Sequence, residues 1–136
     1  MEGIKLSTDL LQQILEEINE RGKFRASLFA TGDGLVLASA RNPSLNEKVV
    51  AAMGSLLAEA AEKAKQEINL SDMVSVKILY KDGLLLCRQI PVKKTGFLLA
   101  VLADVPTGDD FEKYNDDLLK WAVENSKKLL EDLSAL

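Results

Sequence analysis

An unbroken apolar run from Phe97 to Ala103 constrains the fold of this chain more than any other stretch of its sequence. A strand with one face in water alternates apolar and polar residues, whereas a central strand that is covered on both faces is apolar throughout. The run is also far shorter than the ~20 residues with which a helix crosses a bilayer. It therefore predicts the central strand of a sheet that carries helices on both faces.

Four further stretches predict the other strands of this sheet: 24–31, 35–40, 73–80 and 84–90. Asp33-Gly34 joins the first pair and Asp82-Gly83 joins the second, and an Asp-Gly pair supplies the positive φ angles of a tight hairpin turn. In the third stretch, apolar side chains alternate with the polar Ser75 and Lys77. Because such alternation is typical of a half-buried strand, this strand is expected at an edge of the sheet.

The Ala-rich stretch from Asn46 to Ile68 predicts a helix between the two hairpins. Ser44 and Glu47 have the spacing of a capping box, which predicts Ser44 as the N-cap. The larger apolar residues form one broad face at helical spacing: Val49, Met53, Leu56, Leu57, Ala60 and Ala64. Small residues form a second stripe beside it: Ala51, Gly54, Ala58 and Ala61. Together they exceed the roughly 100° arc of a one-sided surface helix. We therefore expect this helix to be covered from two sides, by its own sheet and by another protein surface.

The N-terminal stretch 7–21 predicts a helix that lies with one side on a core. Ser7 or Thr8 is expected to cap its start, and Gly22 is placed to end it.

A second terminal helix is predicted over residues 109–134, which is long against the mean of about 11–12 residues. Asn125 and Ser126 weaken its apolar stripe in the middle. Its last two turns are therefore expected to project from the domain or to serve as a contact arm.

The predicted order is helix, two strands, helix, three strands, helix. It indicates one α/β (α+β) domain over residues 1–136, with its core in residues 7–104 and the long helix after it. Such an order predicts a five-stranded, mostly antiparallel sheet with helices on both faces.

Composition excludes several classes of function. The formal net charge is −4 and no basic run is present, so nucleic acid is not an expected partner. The single Cys87 lies in an apolar run, which excludes an intramolecular disulfide and permits a reducing compartment. The N-terminus has no signal-peptide pattern, and we expect a soluble, cytoplasmic protein with no membrane insertion.

Catalytic chemistry is sparse in the sequence. Histidine is absent, which removes the commonest general base and metal ligand, and with it every Ser-His-Asp or Cys-His arrangement. Gly32-Asp33-Gly34 lacks the further glycine and the following helix of a dinucleotide fingerprint. Arg25, Arg41 and Arg88 are candidates to reach a partner's phosphate site, although solvated surface arginines are the commoner case. The sequence predicts no enzyme acting alone, no cofactor and no metal site.

Four segments in this order resemble a Roadblock/dynein light chain domain: ATGDGLVLASA from Ala30, VVAAMGSLLAEAAEKAKQEI from Val49, VSVKILYKDGLLLCRQI from Val74 and GFLLAVLA from Gly96. The resemblance covers residues 7–104 and rests on order and spacing, since no single segment is diagnostic. It implies a profilin-like roadblock layout with strand order 2-1-5-4-3. That order puts 73–80 at an edge and 97–103 in the middle, in agreement with the polarity patterns.

The resemblance also implies a homodimer in which edge strands pair and central helices meet. Carried onto this chain, it implies seven interface residues: Ala51, Gly54, Ala58, Ala61, Met73, Ser75 and Lys77. Members of the family bind and regulate Ras-like small GTPases or serve as scaffold subunits of larger complexes, so a non-enzymatic adaptor is expected. The helix over 109–133 is longer and more polar than the family's usual closing helix.

Two other functions stay open at this point. A small-molecule sensor with a profilin-like fold would need a roomy pocket with a few convergent polar groups, which an expected core of Leu, Val, Ala and Phe does not favour. A purely structural scaffold subunit has the same sequence features as the GTPase-binding adaptor.

Overall fold

Eight elements succeed one another in the computed structural model, which describes residues 2–41, 46–92 and 95–134. In chain order they are α1 (Glu2–Gly22), β1 (Ala26–Thr31), β2 (Val36–Arg41), α2 (Glu47–Ile68), β3 (Ser75–Tyr80), β4 (Gly83–Val92), β5 (Thr95–Ala103) and α3 (Asp109–Ser134).

The strands form one five-stranded sheet of order β2-β1-β5-β4-β3 in which each neighbouring pair is antiparallel. The predicted strand order is therefore confirmed. β5 lies in the middle, where Leu99 is registered with Phe29 of β1 on one side and with Arg88 of β4 on the other. β2 and β3 are the edge strands.

Apolar layers cover both faces of the central strand, as its unbroken apolar run predicts. Leu99 and Val101 belong to the core beneath α1 and α3, whereas Ala100 belongs to a smaller core beneath α2. Because successive side chains of a strand point to opposite faces, a strand between two such cores has no polar position. None of the helices in the described part of the chain has both the length and the apolarity that a membrane span requires.

Helix α1 starts earlier than the sequence predicts. It begins at Glu2, so Ser7 and Thr8 lie inside the helix and do not cap it. The Thr8 hydroxyl donates to the carbonyls of Ile4 and Lys5 at 3.1 and 3.0 Å, which satisfies it within its own helix. The helix ends at Gly22, as predicted, and Lys23 after it has the left-handed φ of 54°. A Cβ at Gly22 would lie 2.5 Å from the ring of Phe24, so only glycine leaves room for that ring.

The start of α2 also differs from the prediction. The N-cap is Asn46, whose side-chain oxygen accepts a hydrogen bond from the Val49 amide at 3.3 Å. Ser44, the predicted N-cap, lies outside the described residues. The helix begins at Glu47, so its N-cap is Asn46, the residue directly before it. The capping-box spacing had assigned this role to Ser44.

Helix α3 packs along α1 over the described length, and the prediction of a projecting arm is wrong. Ser126 and Leu130 are both 0% exposed, and Leu133 packs against the same core. The Ser126 hydroxyl donates to the Val123 carbonyl at 3.0 Å. A serine whose hydroxyl is hydrogen-bonded within its own helix can be buried beside apolar residues, and Ser126 is buried in this way.

Truncation of Leu130 tests this position of α3. We expect Leu130→Ala to lower the free energy of unfolding by about 2–5 kcal/mol, because it removes fully buried methyl groups. The exposed neighbour Lys127→Ala is the control and should change it by less than about 0.5 kcal/mol. Urea unfolding followed by circular dichroism measures both; equal values for the two variants would mean that the last turns of α3 are solvated.

Candidate protein-protein interface

The free edge of the sheet is formed by alternate residues of β3. The Val74 carbonyl accepts from the Gln89 amide at 3.2 Å, and the register of β3 with β4 continues from that pair. Because hydrogen-bonded and non-bonded pairs alternate in an antiparallel ladder, Ser75, Lys77 and Leu79 direct their N–H and C=O groups away from β4. We call these three residues the free edge. Within the described residues no strand lies on this outer side of β3.

Large apolar side chains are exposed around the free edge. The largest exposed fraction there is that of Leu79, at 66%. Four others are also exposed: Ile68, Leu70, Val74 and Tyr80. An open strand edge with exposed apolar residues is a template for pairing with another chain, and natural proteins usually protect it.

The small residues of α2 face the chain's own sheet. Ala51 is 1% exposed, and Gly54 is also buried. A Cβ at Gly54 would lie 3.4 Å from Leu98 Cδ1 and 3.6 Å from Cys87 Sγ, so the missing side chain lets the helix approach the sheet closely. This corrects the expectation that the small stripe faces another protein. Ala51 and Gly54 therefore leave the set of residues that we propose to face a second copy.

The two flanks of α2 have different neighbours. On one flank, the Ser55 hydroxyl donates to the Gly32 carbonyl at 2.6 Å, which fixes that flank beside the turn between β1 and β2. At about 100° per residue, Met53 and Ser55 lie on opposite sides of Gly54. Met53 packs against the smaller core together with Val76 of β3. The flank that carries Met53 therefore lies on the β3 side of the molecule.

The larger apolar residues of α2 begin on this second flank with Met53 and Leu57 and continue round to the solvent side of the helix at Leu56, and we call them the apolar stripe: Val49, Met53, Leu56, Leu57, Ala60 and Ala64. Val49 is 51% exposed and Leu56 is 65% exposed. Ala58 and Ala61 are half-buried and continue the inward face toward the end of the helix. The flank part of the apolar stripe, formed by Met53, Leu57 and Ala64, therefore lies on the same side of the molecule as the free edge.

A mostly apolar groove of about 390 Å³ lies between the end of α2 and the loop that leads into β3. Its lining includes Ala64, Ile68 and Met73. Lys65 ties this loop to the helix, with Nζ 2.8 Å from Asp72 Oδ1 and 3.0 Å from Glu62 Oε1. The hydrogen bonds to Asp72 and Glu62 raise the pKa of Lys65, and the same contact with Lys65 lowers the pKa of Asp72.

Lys77 of the free edge is held from the other face of the sheet. Its Nζ lies 3.3 Å from Glu112 Oε1 and 3.2 Å from Asp116 Oδ1, both on α3. Desolvation alone would lower the pKa of Lys77, but the hydrogen bonds to Asp116 and Glu112 outweigh it and raise the pKa. Ser75 and Lys77 lie in the edge strand, whereas Met73, which was predicted to belong to it, lies in the loop before β3. Lys77 already has partners within the chain.

The three arginines that were candidates to reach a partner's phosphate site have different surroundings. Arg25 is engaged within the chain, with Nη2 2.7 Å from Asp104 Oδ1 and 2.6 Å from the Asp82 carbonyl oxygen. Arg88 is half-buried in β4, and the side chain of Arg41 lies outside the described part of the structure. Among the described residues no cluster of three or more His, Cys, Asp or Glu side chains is arranged to hold a metal ion.

Comparison with known proteins gives no match to a protein-family model and none among curated proteins. Solved structures do match. The gliding protein MglB from Thermus thermophilus superposes with a TM-score of 0.77 at 17% identity, over 93% of this chain and 92% of that one. A Roadblock/LC7 domain from Streptomyces avermitilis gives a TM-score of 0.76 at 19% identity, over 88% and 96%. The chain has the roadblock fold.

A third roadblock-type neighbour, MglB from Myxococcus xanthus, has a TM-score of 0.68 at 11% identity, over 92% of this chain and 87% of that one. The coverage of the first two neighbours extends past residue 104. The match to the roadblock fold therefore includes more of the chain than the segments that carry the sequence resemblance.

Substitution of Gly54 tests which way the small stripe faces. We expect Gly54→Leu to lower the free energy of unfolding by about 1–3 kcal/mol, because the added side chain must displace Leu98 or Cys87. Lys63→Leu adds the same side chain on the solvent side of α2 and is the matched control. Chemical denaturation of both variants gives the comparison; a neutral Gly54→Leu would place that position outside the helix–sheet contact.

The reactivity of Cys87 tests the smaller core. The thiol is 2% exposed, and burial raises its pKa to about 11. Because the thiolate is the reactive form, less than about one thiol in a hundred is ionised at pH 8. We expect no reaction with a disulfide reagent in the folded protein and full reaction in denaturant. Rapid labelling of the folded protein would show that α2 opens away from the sheet.

Proposed function

We propose that this chain is a non-enzymatic, roadblock-type adaptor that forms a homodimer and binds a Ras-like small GTPase in the cytoplasm, where it regulates GTP hydrolysis. The observation that carries the proposal is the side-by-side arrangement of the free edge and the apolar stripe. Each surface alone is incomplete, and one second copy would cover both.

A two-fold axis beside β3 would satisfy the backbone of the free edge. In a two-fold interface the same patch of both copies is used, so that each edge strand supplies the groups that the other needs. Two β3 strands paired antiparallel would join the sheets of both copies into one. Strand addition of this kind supplies hydrogen bonds without the need for further side-chain pockets.

The same axis would bring the two apolar stripes together, since both lie on the β3 side of one sheet face. Met53 and Leu57, which lie on that flank, would then lose their remaining contact with water, and the full burial of such a side chain stabilises by about 1.5–3 kcal/mol. The groove beside Ala64 and Met73 lies between the stripe and the edge and would be covered as well. A related MglB structure has a tetrameric arrangement, which supports association as a property of this fold.

The GTPase partner follows from the resemblance to the Roadblock/dynein light chain family. The chain has no histidine, the commonest general base, which favours an effect on hydrolysis through positioning of the GTPase's own residues. A scaffold subunit would use the same dimer without distinguishing the nucleotide states. The sensor function has less support, because the groove beside α2 is mostly apolar and its charged lining residues, Lys65 and Asp72, already bind each other.

A charge in the apolar stripe tests the dimer. We expect Ala64→Arg to give a monomer in sedimentation at concentrations where the unchanged chain is dimeric, because it would bury an unpaired charge beside the free edge. Gln66→Arg adds the same charge on the polar flank of α2 and should remain dimeric. A dimeric Ala64→Arg variant would reject this surface.

The proposed regulation of GTP hydrolysis is tested with a purified Ras-like small GTPase from the same organism, loaded with GDP or with a non-hydrolysable GTP analogue. We expect the dimer to bind the two forms with different affinity in calorimetry and to change the rate of phosphate release. Equal affinity for both forms would favour the scaffold subunit.

A further inference from the structure

The free edge is symmetric about Lys77. Only alternate residues of β3 direct backbone groups outward, and within the strand these are Ser75, Lys77 and Leu79. A two-fold axis pairs residue i with residue j and j with i. The arrangement that uses all three residues of both copies pairs Ser75 with Leu79 of the second copy, and Lys77 with its own equivalent. A slip of two residues leaves one outward residue of each copy unpaired.

This register brings two lysines together. Directly opposed residues of a hydrogen-bonded pair have Cα atoms about 5.5 Å apart, and their side chains lie on the same face of the sheet. Like charges in that position destabilise an antiparallel pair. An unassisted lysine at the centre of the edge would therefore oppose the dimer.

Two carboxylates of α3 surround this lysine within each chain. Glu112 and Asp116 are one helical turn apart, and both lie within 3.3 Å of Lys77 Nζ. The pKa of Lys77 is raised, so its charge is not lost by deprotonation at neutral pH and must be balanced by these neighbours. Side-chain exposure of Lys77 is 34%, against 52% and 44% for the carboxylates, so salt will screen the cluster only in part.

We propose that the two-fold axis of the dimer passes through the Lys77 pair, and that Glu112 and Asp116 make this register possible by placing opposite charge beside each lysine. The inference rests on the proposed homodimer and adds its register and the residues that set it. The start of α3 then controls association, although it lies on the face of the sheet opposite to the apolar stripe.

Cysteine cross-linking tests the register, in a Cys87→Ala background that removes the native thiol. Lys77→Cys should form a disulfide-linked dimer under mild oxidation, because Cα atoms about 5.5 Å apart suit a disulfide. Ser75→Cys should not, since two Ser75 residues would be on the order of 13 Å apart along the strands. The combination Ser75→Cys with Leu79→Cys should cross-link again. A dimer in sedimentation that cross-links through Ser75→Cys alone would overturn the register and leave the homodimer intact.

Charge neutralisation tests the role of α3. We expect the double variant Glu112→Gln with Asp116→Asn to weaken the dimer about five-fold or more at low salt. The reason is that the two opposed lysines would then repel each other. Adding Lys77→Met to that variant should restore association, which a merely misfolded α3 would not allow. Asp117→Asn with Glu124→Gln changes the net charge equally at exposed positions and is the matched control.

Three outcomes of these measurements separate the claims. Equal dimer affinity in both neutralised variants would overturn the role of Glu112 and Asp116. A weakened dimer that Lys77→Met fails to restore would overturn the lysine pair as the cause. A monomeric unchanged chain at every concentration would instead overturn the proposed homodimer itself.

Discussion

Small residues make the contact between α2 and the sheet, and the position of the exposed apolar residues depends on this contact. A helix that lies on a core normally presents its large apolar side chains to that core. Here Ala51 and Gly54 take the inward positions, and the backbone of α2 comes close to Leu98 and Cys87. The large apolar residues of the same helix therefore lie on its flank and on its solvent side. Val49 and Leu56 are exposed because they point away from the sheet.

Much of this architecture could be predicted from the sequence, because strand polarity depends directly on burial. The unbroken run at 97–103 and the alternation at 73–80 identified the central and the edge strand before strand order was considered. The two stripes of α2 could also be found, but helical periodicity gives the angle between two faces and not which one lies on the sheet. That choice depends on the distance between backbones, which Ala51 and Gly54 of α2 allow to be short.

Predictions from local sequence patterns failed where another part of the structure could satisfy the same polar groups. Ser126 was expected to interrupt the apolar side of α3, yet its hydroxyl finds a carbonyl in its own helix and the residue is buried. Asn46 serves as the N-cap although the Ser44–Glu47 spacing fits a capping box. The Lys77 cluster could not be predicted at all, since Glu112 and Asp116 are separated from Lys77 in sequence and meet it only because α3 crosses back over the sheet.

Arg25 connects parts of the sheet that are distant along the chain. Its guanidinium holds Asp104, just after β5, and the Asp82 carbonyl in the turn between β3 and β4. The far end of the outermost hairpin is therefore fastened to the start of β1, three strands away. A molecule that binds along β3 would therefore meet a hairpin whose turn is already anchored to the start of β1.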